Sequence, residues 1–96
     1  MQYCKTQPLG LFYAMPTVWR TGAFRVVVYP NDHRPAHVHV VSARCEAIFD
    51  LHCPDGPVEL RDNYHCSVAD LRNVARGLND HLAELCNAWE SIHGSV

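Results

Sequence analysis

The fold is decided by two alternating runs joined by a short turn, which make up residues 37–52, HVHVVSARCEAIFDLH. In a strand successive side chains point to opposite faces, so His37 and His39 share one face while Val38 and Val40 share the other. The second run alternates in the same way. The stretch therefore predicts an antiparallel hairpin with one apolar face and one face that carries histidines.

Only one register of this hairpin keeps both faces consistent. Placing Val38 opposite Phe49 pairs apolar side chains on one face, and a slip by one residue would move every side chain to the wrong face. The predicted pairs are Val41 with Glu46, Val40 with Ala47, Val38 with Phe49, His39 with Ile48 and His37 with Asp50.

The flanking sequence supplies the remaining elements of the fold. Alternation predicts strands at residues 17–20, 24–29 and 58–61, and Ser67-Val68-Ala69-Asp70 has the form of a helix start. An apolar stripe then recurs in steps of four and three, which predicts one helix of about 25 residues that ends at Gly94. Its members are Leu71, Ala75, Leu78, Leu82, Leu85, Trp89 and Ile92. We predict an α+β domain, a small antiparallel sheet of four to five strands packed on one long C-terminal α-helix.

Length and composition fit one compact domain. The chain has 96 residues with 48% hydrophobic content, enough for a single core. Residues 1–14 follow neither the strand nor the helix period, so we predict an N-terminal arm or leader there. The domain itself is expected over residues 15–96.

Charge and cysteine usage narrow the class of protein. A formal net charge of -2 gives no support to RNA binding by bulk charge, and no apolar run approaches the ~20 residues of a membrane span. The N-terminal residues lack the pattern of a signal peptide.

Five cysteines form no C-x-x-C pair and are odd in number, which predicts free thiols in a reducing cytoplasm. They are Cys4, Cys45, Cys53, Cys66 and Cys86.

Several segments together resemble the domain-of-unknown-function 4160 family of small bacterial proteins. The most specific are the opening Met15-Pro16-Thr17 and the Pro35-Ala36-His37-Val38-His39 segment; the strand pattern and the long C-terminal helix agree in order. The resemblance covers about residues 15–93. Unlike the usual pattern, the chain has a leader before Met15, and residues 63–67, NYHCS, stand where the family more often has a glycine.

The resemblance implies a partner rather than a reaction. The family has no established biochemical activity, and its members are often encoded beside another short protein in pairs that look like toxin–antitoxin modules. It therefore implies a cognate small protein, encoded by an adjacent gene, as the partner. The histidine face of the sheet also mixes apolar with polar side chains, which predicts that a partner protein or a second copy in a homodimer covers it. In this interpretation the domain binds a protein and no catalysis occurs.

An enzymatic interpretation makes the domain a histidine-dependent ribonuclease toxin. His37 and His39 would act as base and acid, since imidazole titrates near neutral pH, and Asp50 would orient His37 across the strand pair. The candidates for holding the phosphate or another anion are the neighbouring basic residues Arg25, Arg34 and His33.

A metal centre is the third interpretation of the same segment. His-x-His on a strand supplies two neighbouring ligands, and His33, His52 or Asp50 could supply a third. The predicted ligand set is His37, His39 and His33, and the expected ion is a divalent metal such as zinc. The sequence leaves open whether any cofactor is bound and whether the protein is an enzyme.

Overall fold

The computed structural model describes residues 17–94, which form a five-stranded antiparallel sheet and two C-terminal helices. The predicted arm at residues 1–14, and the Met15-Pro16 opening, lie outside the described residues. The strands are β1 Thr17–Thr21, β2 Phe24–Val27, β3 His37–Val41, β4 Glu46–Asp50 and β5 Glu59–Tyr64, and the helices are α1 Val68–Asp80 and α2 Leu82–His93. The predicted α+β class is confirmed.

The sheet is a meander in which each strand pairs with the next along the chain, so β3 lies at its centre. All five predicted pairs between β3 and β4 are present, from His37 with Asp50 to Val41 with Glu46. The register follows from the alternation because only this pairing buries Val38 and Phe49 together. The last strand extends to Tyr64, three residues beyond its predicted end.

One face of the sheet and both helices enclose the core. Val38, Val40 and Phe49 on this face are at most 2% exposed. The buried helix residues that meet them are Val74, Leu78, Leu82, Leu85, Cys86 and Trp89. The apolar stripe therefore has the predicted role of packing against the sheet.

The prediction of one long helix is wrong in one respect, because the helix breaks at His81. His81 has φ -118° and ψ 23°, and its ring Nδ1 lies 3.0 Å from the carbonyl oxygen of Gly77. The Trp19 ring from β1 packs on the His81 ring with centroids 4.4 Å apart, and a Cβ at Gly77 would lie 2.8 Å from the Trp19 ring. Trp19 of β1 thus packs at the residue where the helix breaks, and the periodicity of the helix sequence gives no sign of this contact.

The prediction of free thiols is wrong for four of the five cysteines. Cys45 pairs with Cys66 and Cys53 with Cys86, and the Cα atoms of the two pairs are 5.0 and 5.9 Å apart. Both bonds join distant segments that only the tertiary fold brings together, so spacing along the chain does not show them. Cys4 lies outside the described residues. Neither helix of residues 17–94 has the length and apolar character that crossing a membrane requires.

Candidate metal centre

A tight turn between β2 and β3 fixes the carboxylate of Asp32. The backbone N–H of Asp32 donates to the carbonyl oxygen of Tyr29 at 3.1 Å, and the N–H of Tyr29 donates back to Asp32 Oδ2 at 3.1 Å. Pro30 occupies the second position of this turn, where its fixed φ is favourable. The reciprocal bonds hold the Asp32 side chain toward the start of β3.

The two histidines of β3 converge on this carboxylate. Alternation places His37 and His39 on one face, and their ring centroids are 5.4 Å apart. Asp32 Oδ2 lies 3.4 Å from His37 Nε2, and Asp32 Oδ1 lies 3.3 Å from His39 Nε2. One ligand atom from each of the three residues lies within 4.8 Å of the other two. We call Asp32, His37 and His39 the Asp–His–His cluster.

Each histidine of the cluster has its second ring nitrogen held by an oxygen. His37 Nδ1 donates to the carbonyl oxygen of Pro35 at 2.8 Å, and His39 Nδ1 lies 3.0 Å from Glu46 Oε2. A proton at Nδ1 leaves the lone pair of a neutral ring at Nε2, the atom that faces Asp32. Metal-binding histidines are oriented in this way by a carbonyl or carboxylate on the far nitrogen.

The cluster is largely enclosed. The side chain of His37 is 6% exposed, and those of His39 and Asp32 are 13% and 14% exposed. The Tyr29 ring meets His39 edge to face at 4.6 Å. Burial raises the pKa of the Tyr29 hydroxyl, and the Glu46 carboxylate raises it further. Because His39 and Asp32 are more exposed than His37, solvent reaches the cluster past their two side chains.

The C-terminal turns of α2 also support the cluster, through Trp89 and His93. The Trp89 ring lies 5.2 Å from the His37 ring and stacks on His93 at 4.0 Å. His93 Nε2 donates to the carbonyl oxygen of Tyr29 at 3.0 Å, the same oxygen that accepts from the Asp32 N–H. Helix α2 thus contacts one histidine directly and the Asp32 turn through Tyr29. The Nε1 atom of Trp89 is buried without a hydrogen-bond partner.

The other predicted ligands have different surroundings. The Asp50 carboxylate forms an ion pair with Arg61, although Asp50 lies opposite His37 in the sheet. His52 is half exposed and lies 2.9 Å from Glu59. His33 is exposed in the loop after the turn and is not part of the cluster. The structure therefore brings together two of the predicted ligands and adds Asp32.

The two predicted anion-binding arginines lie apart from each other. Arg25 is on β2 opposite Val41, on the histidine face of the sheet. Arg34 is exposed and borders a cavity of about 550 Å³ that Pro35 and Asp50 also line.

Sequence reasoning missed Asp32 and the contribution of α2. Asp32 lies within the loop that leads to the histidines, and the signal was an acidic residue at the end of a proline turn, Tyr29-Pro30-Asn31-Asp32. Trp89 and His93 are four residues apart on one helix face, but nothing local shows that this face reaches β3.

These features define a small α+β domain with a five-stranded meander and a histidine–carboxylate cluster at the start of its central strand. The family model of a domain of unknown function (DUF4160) matches residues 23–90, and the chain belongs to that family. No curated protein and no solved structure matches the chain. The predicted resemblance is thereby confirmed, whereas the bacterial gene-pair context stays a prediction.

Proposed function

We propose that this domain binds a divalent transition metal through Asp32, His37 and His39. The observation that carries the proposal is the convergence of their three ligand atoms, together with the oxygen acceptor behind each histidine.

Distances and ligand types favour zinc. A tetrahedral site with bonds of about 2.0–2.1 Å has ligand atoms roughly 3.3–3.4 Å apart. His37 Nε2 lies 3.4 Å from Asp32 Oδ2, and His39 Nε2 lies 3.3 Å from the other oxygen, Asp32 Oδ1. The two histidine nitrogens lie within 4.8 Å, so closing the set needs a shift on the order of 1 Å. Two imidazoles and one carboxylate suit zinc better than calcium or magnesium, which prefer oxygen ligands.

Three protein ligands leave one coordination position for water or a bound molecule, as in catalytic rather than structural zinc sites. A metal in such a site acts as a Lewis acid and lowers the pKa of bound water. The partial exposure of His39 and Asp32 gives that position an approach from solvent.

A zinc titration tests the proposal. Untagged, metal-free protein should bind one equivalent of Zn²⁺ in competition with a chromophoric chelator, and Asp32→Ala or His39→Ala should weaken binding at least about 100-fold. His52→Ala is the matched control, because His52 also contacts a carboxylate but lies outside the cluster. Failure to bind, or equal loss in all three variants, would contradict the proposal.

Metal-free cleavage of RNA by His37 and His39 is less favoured by the same geometry. An acid–base pair needs ring nitrogens within reach of the substrate. Here His37 Nδ1 bonds the Pro35 carbonyl, and the three other ring nitrogens face the carboxylates of Asp32 and Glu46. Incubating RNA with the protein, with zinc and with a chelator, separates the two chemistries: cleavage that survives the chelator would favour the histidine pair.

The cognate small protein and the homodimer remain predictions. Strand β5 supports an interaction role, because it is an edge strand of the sheet, all six of its residues are exposed, and two of them are the large apolar Leu60 and Tyr64. The cytoplasmic location also remains a prediction, and two disulfides are more typical of an oxidising compartment.

A further inference from the structure

The disulfide Cys53–Cys86 anchors the helix that supports the cluster. Cys53 lies three residues beyond the end of β4, and Cys86 lies in α2, three residues before Trp89 and seven before His93. Positions three and seven residues apart lie on one face of a helix. The disulfide therefore holds the same face of α2 that meets the Asp–His–His cluster.

Two ligands depend on that face of α2. Trp89 packs on the ring of His37, and His93 donates to Tyr29, whose backbone N–H and carbonyl both bond Asp32. Shifting the end of α2 removes the packing behind one ligand and a hydrogen bond behind the turn that carries another. Such supporting contacts set metal affinity because they fix the ligands in place.

A reductant can approach this disulfide. Cys53 is partly exposed and borders the cavity of about 550 Å³ beside Pro35, whereas Cys86 is 7% exposed. Exchange proceeds by attack of a thiolate on one sulfur and departure of the other as a thiolate. Because Cys53 is the more exposed of the two cysteines and borders the cavity, we expect attack at its sulfur and departure of Cys86 as the thiolate.

We propose that Cys53–Cys86 is a redox switch for the metal centre, so that its reduction loosens α2 and lowers zinc affinity. A dithiol reductant supplies two electrons and two protons: it becomes a disulfide while Cys53 and Cys86 become thiols. This inference rests on the proposed function, since it concerns the affinity of the same site.

The second disulfide provides an internal control. Cys45–Cys66 joins the turn before β4 to the loop before α1. It does not involve α2, although Cys45 directly precedes Glu46, whose side chain holds His39. The two bonds span 21 and 33 residues, so their general effects on the unfolded chain are similar.

The experiment compares two double variants, each oxidised or reduced with a phosphine. All samples are then alkylated, so that neither Cys4 nor released thiols bind zinc. In Cys45→Ser/Cys66→Ser, reduction should lower zinc affinity at least about tenfold. In Cys53→Ser/Cys86→Ser, affinity should be low already, and reduction should change it by less than about twofold.

His93→Ala keeps the inference testable if the reduced variants fail to fold. This variant retains both disulfides but removes the α2 hydrogen bond to Tyr29, and its zinc affinity should also fall about tenfold. Unchanged affinity in His93→Ala, or an equal response to reduction in both double variants, would overturn the switch. Equal zinc affinity in the oxidised and reduced protein overturns only this inference, whereas oxidised wild type that binds no zinc overturns the proposed function as well.

Discussion

Glu46 should tune the metal centre without touching the metal. Its carboxylate holds His39 Nδ1 at 3.0 Å, and Glu46→Gln removes the charge while leaving an amide oxygen to accept the same hydrogen bond. Substitutions behind a metal-bound histidine typically weaken affinity 10–100-fold. The Glu46 side chain is 39% exposed, so solvent already weakens its effect, and the low end applies. We expect a loss of about tenfold in zinc affinity, or about 1.4 kcal/mol.

The assay is the competition titration with zinc, run beside a matched variant. Glu59→Gln changes the same residue type in another histidine–glutamate pair, 2.9 Å from His52, and should leave zinc affinity unchanged. Thermal unfolding of the metal-free proteins checks that both variants fold alike. Wild-type affinity in Glu46→Gln, or an equal loss in Glu59→Gln, would refute the reasoning that His39 is oriented by this carboxylate.

Three further predictions concern the scaffold and are checked by chemical denaturation of the metal-free protein. Gly56→Ala should destabilise the fold more than Gly22→Ala. Both glycines have positive φ, but of the two only Gly56 would place an added Cβ against a side chain, Leu82 at 2.7 Å. Equal losses of stability would mean that Leu82 moves aside without cost. Ser67→Ala removes the side-chain cap of α1 and should cost about 1 kcal/mol, whereas no change would mean that water replaces the cap. Leu78→Ala, at a fully buried position, should cost about 2–5 kcal/mol, and a cost below about 1 kcal/mol would contradict its place in the core.

Local pattern was sufficient for the β3–β4 hairpin and insufficient for the contacts and disulfides that join the sheet to the helices. The β3–β4 register follows from alternation alone, because a strand has only two faces and the apolar one must be buried. The helix break at His81 depends on Trp19, about sixty residues earlier in the chain, and the disulfides depend on the finished fold. Counting cysteines could not show that four of them meet in pairs.

The candidate site, too, could be predicted only in part from the sequence. Alternation places His37 and His39 side by side, and that part could be predicted from three residues. Asp50 lies opposite His37 in the sheet, but its carboxylate pairs with Arg61, because cross-strand neighbours in Cα register can direct their side chains to other partners. Asp32 reaches the cluster through the reciprocal turn bonds with Tyr29, a geometry that composition does not encode.

The most direct measurement of the central claim is long-range ¹H–¹⁵N NMR of the histidine ring nitrogens as Zn²⁺ is added to the oxidised protein. The account predicts that the Nε2 resonances of His37 and His39 shift to those of metal-bound nitrogen at one equivalent, while both Nδ1 atoms keep their protons. The ring signals of His52 should stay unchanged. Unshifted Nε2 resonances at one equivalent, or zinc bound through other histidines, would contradict it.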